Sequence, residues 1–357
     1  MQSTATNHEN SRTWKEITSQ GNVWQTVLNE LSASKELQET LESSSQRRNW
    51  IFAGCGTSYY LAEAAAFTWT KLTGQPARAI PSSEALLFPE TIRCDWADIQ
   101  AVAISRSGQT SETVRAAGVF QELRIPTIGI TCAADSELQR ICDRSITLTA
   151  ADEESTVMTR SFTSMLLALQ FLAARHGNKP EFIADLQRAT AQFAPRLHDL
   201  ADSIEAFVAK HSFADFVFLG QGAFHGIARE ASLKVMEMSC SYSQFFHTLE
   251  FRHGPKAIVS PATCLTFFLS ATGQQAETEV LAEMRELGGT TIAISGNGNE
   301  AARSAAELAI ELHFDGHELA LLAPFIVPAQ ILGFFNAIRK GLNPDEPKNL
   351  TRVVLLD

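Results

Sequence analysis

The sequence predicts an α/β protein built from two tandem copies of one unit, each a doubly wound parallel sheet flanked by helices. Two observations carry this. From Trp50 onward, short apolar runs alternate with helical stretches, and such alternation produces parallel sheets covered by helices. The runs also repeat: Gly54 and Gly220 lie 166 positions apart, Ser105 and Ser270 lie 165 apart, and Thr131 and Ser295 lie 164 apart. A drift of one residue per step is what a duplicated unit leaves behind, and a single undivided domain predicts no repeat.

In chain order, residues 1–47 read as a helical arm. The first unit spans 48–195, with strands at Trp50-Ile-Phe-Ala-Gly, Ala101-Val-Ala-Ile-Ser, Thr127-Ile-Gly-Ile-Thr and Ser145-Ile-Thr-Leu-Thr. Unbroken apolar runs of this kind belong to strands buried on both faces. The connection falls in the charged helical stretch from Pro180 to Lys210, placing the second unit at 196–340. Its strands are Asp215-Phe-Val-Phe-Leu-Gly, Cys264-Leu-Thr-Phe-Phe-Leu-Ser, Thr290-Thr-Ile-Ala-Ile-Ser and Leu308-Ala-Ile-Glu-Leu, and residues 341–357 form a tail.

The 357 residues, 45% hydrophobic and 19% charged, can bury a large core. The net charge of -11, from 29 basic and 40 acidic residues, repels nucleic acid and anionic membrane, so neither is an expected partner. An anionic ligand must then be held by local donors. The cysteines Cys55, Cys94, Cys132, Cys142, Cys240 and Cys264 are scattered without a CxxC pair, as reduced thiols of a reducing compartment are. The segment from Met1 to Trp14 is polar and carries no apolar leader core, so the expected location is cytoplasmic. Leu319 to Ile338 is apolar enough to span a bilayer, but it contains Pro324, Pro328, Gln330 and Asn336. It reads instead as a buried helix entered through a Pro-rich turn.

Each first strand ends in a glycine turn, Gly54-Cys-Gly-Thr-Ser58 and Gly220-Gln-Gly-Ala. Such a turn either presents backbone donors to an anion or simply reverses the chain into a helix. The second strand ends in Ser105-Arg-Ser-Gly-Gln-Thr110 followed by Ser111. Clustered hydroxyls at a helix amino terminus form a phosphate cradle that needs no lysine, whereas plain helix capping needs only one hydroxyl. In Arg229-Glu-Ala-Ser-Leu-Lys-Val-Met-Glu-Met238, the residues Glu230, Lys234 and Glu237 share one helical face at spacings of four and three. A surface salt bridge is the plain account. The stripe is narrow, however, and bounded by Leu233 on one side and Ile227 and Met238 on the other, which suits a cleft wall where burial tunes carboxylates for proton transfer. Leu249-Glu-Phe-Arg-His-Gly-Pro-Lys256 then crowds Glu250, Arg252, His253 and Lys256 around a Gly-Pro turn. His313, Asp315 and His317 match no standard ligand spacing, so no metal is expected. No dinucleotide fingerprint is complete, and no other cofactor is called for.

As an ordered set, Cys55-Gly-Thr-Ser58, Ser105-Arg-Ser-Gly-Gln-Thr110, the Glu230/Lys234/Glu237 helix, Arg252-His-Gly-Pro-Lys256 and Pro344-Asp-Glu-Pro-Lys-Asn-Leu-Thr-Arg-Val-Val354 resemble the double sugar isomerase (SIS) domain phosphosugar isomerases. The likeness runs from about Glu16 to Asp357 and includes Met158-Thr-Arg-Ser-Phe-Thr163. It extends to the isomerase half of glucosamine-6-phosphate synthase and to the stand-alone galactosamine-pathway (tagatose-6-phosphate) isomerase/deaminases, which share the FRHGPK loop. It implies two tandem SIS domains of flavodoxin-like winding, acting at C1–C2 of a hexose 6-phosphate. Under it, Ser58, Ser105, Arg106, Ser107 and Thr110 bind the sugar phosphate, and Gly56, Thr57, Thr156 and Arg352 meet the substrate. Glu237 shuttles the proton between C1 and C2, while Glu230 and Lys234 position and polarise the sugar oxygens. His253 reaches in from a second subunit to open the ring, which implies at least a homodimer with a shared site. The tail closes over the substrate. Two departures matter. No cysteine follows Met1, so no glutaminase is expected, and Arg352 stands where the synthase has a tail lysine; an arginine stays protonated and forms no Schiff base.

The chemistry of the residues agrees with an isomerase, since aldose–ketose interconversion needs a carboxylate base, an electrophile and a phosphate anchor. Deamination of an amino sugar phosphate with coupled isomerisation, cleavage of a fructosamine 6-phosphate, and non-catalytic sensing of phosphosugars are the alternatives. A sensor needs the Ser105–Thr110 cradle but not Glu237 and His253.

Overall fold

The computed structural model describes residues 8–93, 97–298 and 300–356; Cys94, Met1 to Asn7 of the arm and the last residue of the tail lie outside them. The first sheet comprises β1 (Asn49–Gly54), β2 (Ala77–Pro81), β3 (Ile99–Ile104), β4 (Thr127–Thr131) and β5 (Arg144–Thr147) in the order β2-β1-β3-β4-β5. The second comprises β6 (Asp215–Gly220), β7 (Tyr242–Phe246), β8 (Thr263–Leu269), β9 (Thr290–Ser295) and β10 (Leu308–Glu311) in the order β10-β9-β8-β6-β7. All pairings are parallel. Counted from its own first strand, each sheet runs 2-1-3-4-5, so the sequence repeat is a repeat of topology.

The helices are α1 (Arg12–Thr18), α2 (Gln20–Ala33), α3 (Lys35–Ser44), α4 (Thr57–Thr73), α5 (Ser82–Leu87), α6 (Glu90–Arg93), α7 (Ser111–Glu122), α8 (Glu137–Ile141), α9 (Arg160–His176), α10 (Pro180–Phe193), α11 (Leu197–Lys210), α12 (Ala223–Ser239), α13 (Gln274–Glu286), α14 (Glu300–Ala305) and α15 (Leu322–Arg339). Helices on both faces explain why β3 and β8 are buried along their whole length and read as apolar runs. The edge strands β2 and β7 are mostly half-buried and of mixed polarity.

The two halves meet through equivalent helices, α4 and α12. At their crossing, a Cβ on Gly226 would stand 2.9 Å from the Tyr60 carbonyl oxygen, so only glycine permits this approach. Behind them α15 is a core helix, with 94% of its apolar window buried within the protein. Its amides are satisfied there: Gln330 accepts from Gln20 at 2.8 Å, and Asn336 donates to the hydroxyls of Ser239 and Ser241 at 3.0 Å. Pro324 occupies the first turn as expected, but Pro328 lies inside the helix.

The chain ends are joined. Asp345 accepts from Ser11 Oγ and Thr13 N at 2.8 Å and from Arg12 N at 3.0 Å, capping α1. Desolvation works against its charge, but these bonds outweigh it and hold the carboxyl below the usual range.

In the second sheet's crevice, the fully buried Glu277 accepts from Ser270 N and Oγ at 2.6 and 2.9 Å. Burial pushes its pKa up to about 7 against those two bonds, aided by Glu318. The folded state therefore holds a proton that the unfolded chain releases near the ordinary carboxyl value. The stability this contributes is full below that value and is lost as pH rises through about 7, a loss of up to about 3 kcal/mol. Denaturant unfolding at pH 5 and pH 8 should show a shallower decline in Glu277→Gln than in the parent; equal declines would clear Glu277 of the effect.

Candidate active site

The site is built at the carboxyl end of the first sheet, where the strand order reverses between β1 and β3 and a crevice opens. From β1, the turn Gly54-Cys-Gly-Thr-Ser58 passes into α4. Gly56 sits at φ 52°, ψ -123°, and a Cβ there would meet nothing within 4 Å, so the turn faces open space. Thr57 and Ser58 follow, both buried.

From β3, the loop Ser105–Thr110 leads into α7. Gly108 has φ +61°, and a Cβ on it would stand 2.3 Å from Ser136 Oγ, which fixes glycine at this corner. Ser105 Oγ donates to Thr110 Oγ1 at 3.1 Å and accepts from Gly108 N at 3.1 Å, while Ser107 Oγ accepts from Gln109 N at 3.2 Å. Thr110 is the N-cap residue of α7, yet its side chain makes no capping bond. The capping account of these hydroxyls therefore fails for Thr110.

Helix α12 of the second half supplies the titratable groups. Lys234 and Glu230 are fully buried, and Glu237 keeps 19% of its side chain exposed. The Lys234 ammonium lies 3.2 Å from Glu230 Oε1 and 2.5 Å from Glu237 Oε2. It also donates to Thr57 Oγ1 at 3.2 Å, and that hydroxyl donates to Glu230 Oε1 at 3.2 Å. The surface salt bridge is thereby excluded, and Glu230, Lys234, Glu237 and Thr57 come together from opposite halves. Burial opposes the ammonium, but the two carboxylates outweigh it and raise the Lys234 pKa. For Glu230, burial is the larger effect and lifts the pKa to about 8 despite Lys234. Its Oε2 has no hydrogen-bond partner among the described residues, as suits a protonated carboxyl.

Other expected site residues stand apart. Arg106 lies in the Ser105–Thr110 loop, but its guanidinium is 4% exposed and donates to backbone carbonyls of Ser155, Thr156 and Arg352. Thr156 thus enters the site through its carbonyl, and Arg352 through a tail held beside the loop. His253 is exposed on its turn, whose neighbours Arg252 and Lys256 both bind Glu283 at 2.7 Å. No contact joins His253 to Glu237 among the described residues.

The sequence reading missed two features. Glu153, buried, accepts from Thr159 N and Arg160 N at 2.8 and 2.7 Å and lies 3.8 Å from Arg106; the acidic run Asp152-Glu-Glu154 before the Met158–Thr163 motif was its signal. Arg229, next to Glu230 on α12, lies 4.4 to 4.9 Å from the ring centroids of Tyr59, Tyr60 and Phe245 and is paired to Glu63 at 2.5 Å.

Comparison with known proteins follows the same outline. Glucosamine-6-phosphate deaminase from Thermotoga maritima matches 97% of this chain and 100% of its own at 29% identity, with a TM-score of 0.76. Tagatose-6-phosphate ketose/aldose isomerase from Escherichia coli covers 99% and 98% with a TM-score of 0.84, a likeness of fold at 22% identity. The glutamine–fructose-6-phosphate aminotransferase (isomerizing) of Pyrobaculum aerophilum is 29% identical over 327 residues, which are 87% of this chain and 52% of that protein; the chain spans about half the length of the curated relatives it matches. The SIS domain description matches residues 44–175 and 215–332, one stretch for each sheet. With both sheets matched and both wound alike, the chain belongs to the SIS domain family and carries the domain twice.

Proposed function

We propose that this protein interconverts the aldose and ketose forms of a hexose 6-phosphate at C1–C2, and that it releases ammonia when the sugar carries a 2-amino group. The observation that supports this best is the buried Lys234 ammonium held between Glu230 and Glu237 against Thr57 of the glycine turn. Glu237, the member of this group that reaches solvent, takes the proton from C2 and returns it to C1. The electron pair released forms an enediol, whose developing oxygen charge falls to Lys234 and Thr57. With a 2-amino substrate, the same proton transfer yields a C2 imine, and water adds to it to expel ammonia and leave the ketose. Ser58, Ser105, Ser107 and Thr110 hold the phosphate, remote from the bonds that change.

The deaminase branch draws support from the glucosamine-6-phosphate deaminase likeness. The enzyme reading is favoured over sensing because burying an ammonium between two carboxyls is costly and adds nothing to phosphate capture. His253 is assigned ring opening in a partner's site, in keeping with its exposed position on the turn.

Glu237→Gln should leave sugar phosphate binding by calorimetry nearly unchanged while lowering kcat by about 10² to 10⁴; undiminished turnover would remove Glu237 as the base. Ser107→Ala combined with Thr110→Ala should weaken substrate binding by about tenfold or more with a smaller effect on kcat, and parental affinity in that variant would put the phosphate elsewhere. Mixing inactive Glu237→Gln and His253→Ala subunits should restore activity through hybrid dimers with one intact site. Background activity after proven subunit exchange would place both residues in one chain.

A further inference from the structure

Arg106 stands in the middle of the hydroxyl cradle, yet its charge is spent inward. Nη1 donates to Ser155 O at 3.0 Å, and Nη2 donates to Thr156 O at 3.2 Å and Arg352 O at 3.0 Å. The segment Asp152–Thr156 that it grips is held from its other side as well: Glu16 Oε1 accepts from Glu154 N at 2.7 Å and Ser155 N at 3.2 Å. The tail returns the grip, since the Arg352 guanidinium donates to Asp152 Oδ1 at 2.9 Å and to the Glu153 carbonyl. Beyond Arg352, Val354 O accepts from Ser111 N at 3.3 Å and Leu356 N donates to Ser111 Oγ at 3.0 Å. The tail therefore crosses the first turn of α7, one residue beyond the cradle.

We propose that Arg106 is a positioning residue and not a phosphate ligand: it couples the cradle to the carboxyl-terminal tail, so that a bound phosphate and a seated tail favour one another. The inference rests on the phosphosugar reading above for the occupant of the cradle. A planar guanidinium reaches three carbonyls belonging to two segments, which an ammonium, donating from a single nitrogen, cannot match. Because Arg106 belongs to the cradle loop, a shift of that loop moves donors to which the tail backbone is bonded. Coupling of this kind is reciprocal: whatever phosphate adds to tail seating, tail seating adds to phosphate affinity.

The test uses hydrogen exchange of residues 350–356 with and without inorganic phosphate, alongside calorimetric phosphate binding. In the parent, phosphate should slow tail exchange. In Arg106→Ala, tail exchange should rise by about tenfold and lose its response to phosphate, while phosphate affinity falls by no more than about threefold. Arg106→Lys should restore part of both. Arg352→Ala, altered at a largely exposed side chain, should also free the tail while leaving the core intact, and so guards against misfolding of the first variant. A loss of phosphate affinity in Arg106→Ala equal to that of the Ser107→Ala, Thr110→Ala variant would overturn the proposal, and so would unchanged tail exchange in both Arg106→Ala and Arg352→Ala. Tail exchange without phosphate is read independently of any sugar chemistry, so absence of phosphosugar turnover in the parent would sink the proposed reaction and leave this result standing.

Discussion

The Lys234 ammonium, sealed from solvent between Glu230 and Glu237, can be buried only because the two halves of the chain meet around it. An unpaired buried charge costs several kcal/mol, and removing one partner from a buried pair typically costs about 3–5 kcal/mol. Two of the partners of Lys234 come from its own helix, and the third, Thr57, comes from the glycine turn of the other half. Thr57 reaches it because α4 and α12 pack backbone to backbone at Gly226. Packing between the halves and the geometry of the titratable cluster are therefore one constraint: anything that parts the helices strands a charge.

Duplication made two crevices, and side chains have made them unlike. Shifted by 166 positions, Glu230, Lys234 and Glu237 correspond to Ala64, Thr68 and Lys71 on α4, so α4 offers the second crevice no counterpart of the Glu-Lys-Glu triad. Its loop donors are also taken: Glu277 accepts from Ser270, and Glu318 accepts from Ala271 N at 2.6 Å and Thr272 Oγ1 at 2.9 Å. Two carboxyl groups already occupy the donors that a phosphate would use. The first loop bonds its hydroxyls within itself, Ser105 to Thr110 and to Gly108 N, and Ser107 to Gln109 N. On the reading proposed here, that difference fixes which of two similar folds receives the substrate.

The central strands, the glycine turns and the common face of Glu230, Lys234 and Glu237 were legible in the sequence because each depends on local spacing. The edge strands β2 and β7 were not, since half-buried strands of mixed composition lack the apolar run that marks their neighbours. The direction of Arg106 was illegible for a different reason. Beside three hydroxyls, a cation reads as a phosphate ligand; what turns it inward are carbonyls 49, 50 and 246 positions away, which no local pattern reveals. Glu153 was hidden in the same way, in an acidic run that composition assigns to solvent. Spacing shows which groups share a face, whereas the direction of a long side chain is decided by partners distant in sequence.

The protonation of the site bears on the kind of chemistry it can carry. An amine must be neutral to attack a carbonyl carbon and form an imine. Lys234 is held protonated because its two carboxyl neighbours outweigh its burial, and Arg352 stays protonated by its nature. Neither cation beside the cradle can then act as a nucleophile. On the reading proposed here, Lys234 stabilises negative charge at a sugar oxygen, while Arg352 binds the segment that seats the tail. Glu237 is the member of the cluster that keeps part of its side chain exposed, and in the proposed reaction it is the one that exchanges a proton with the substrate. The reaction, on that reading, is enolisation by proton transfer under a fixed positive charge, and an arginine serves in the tail because no imine to the tail is needed.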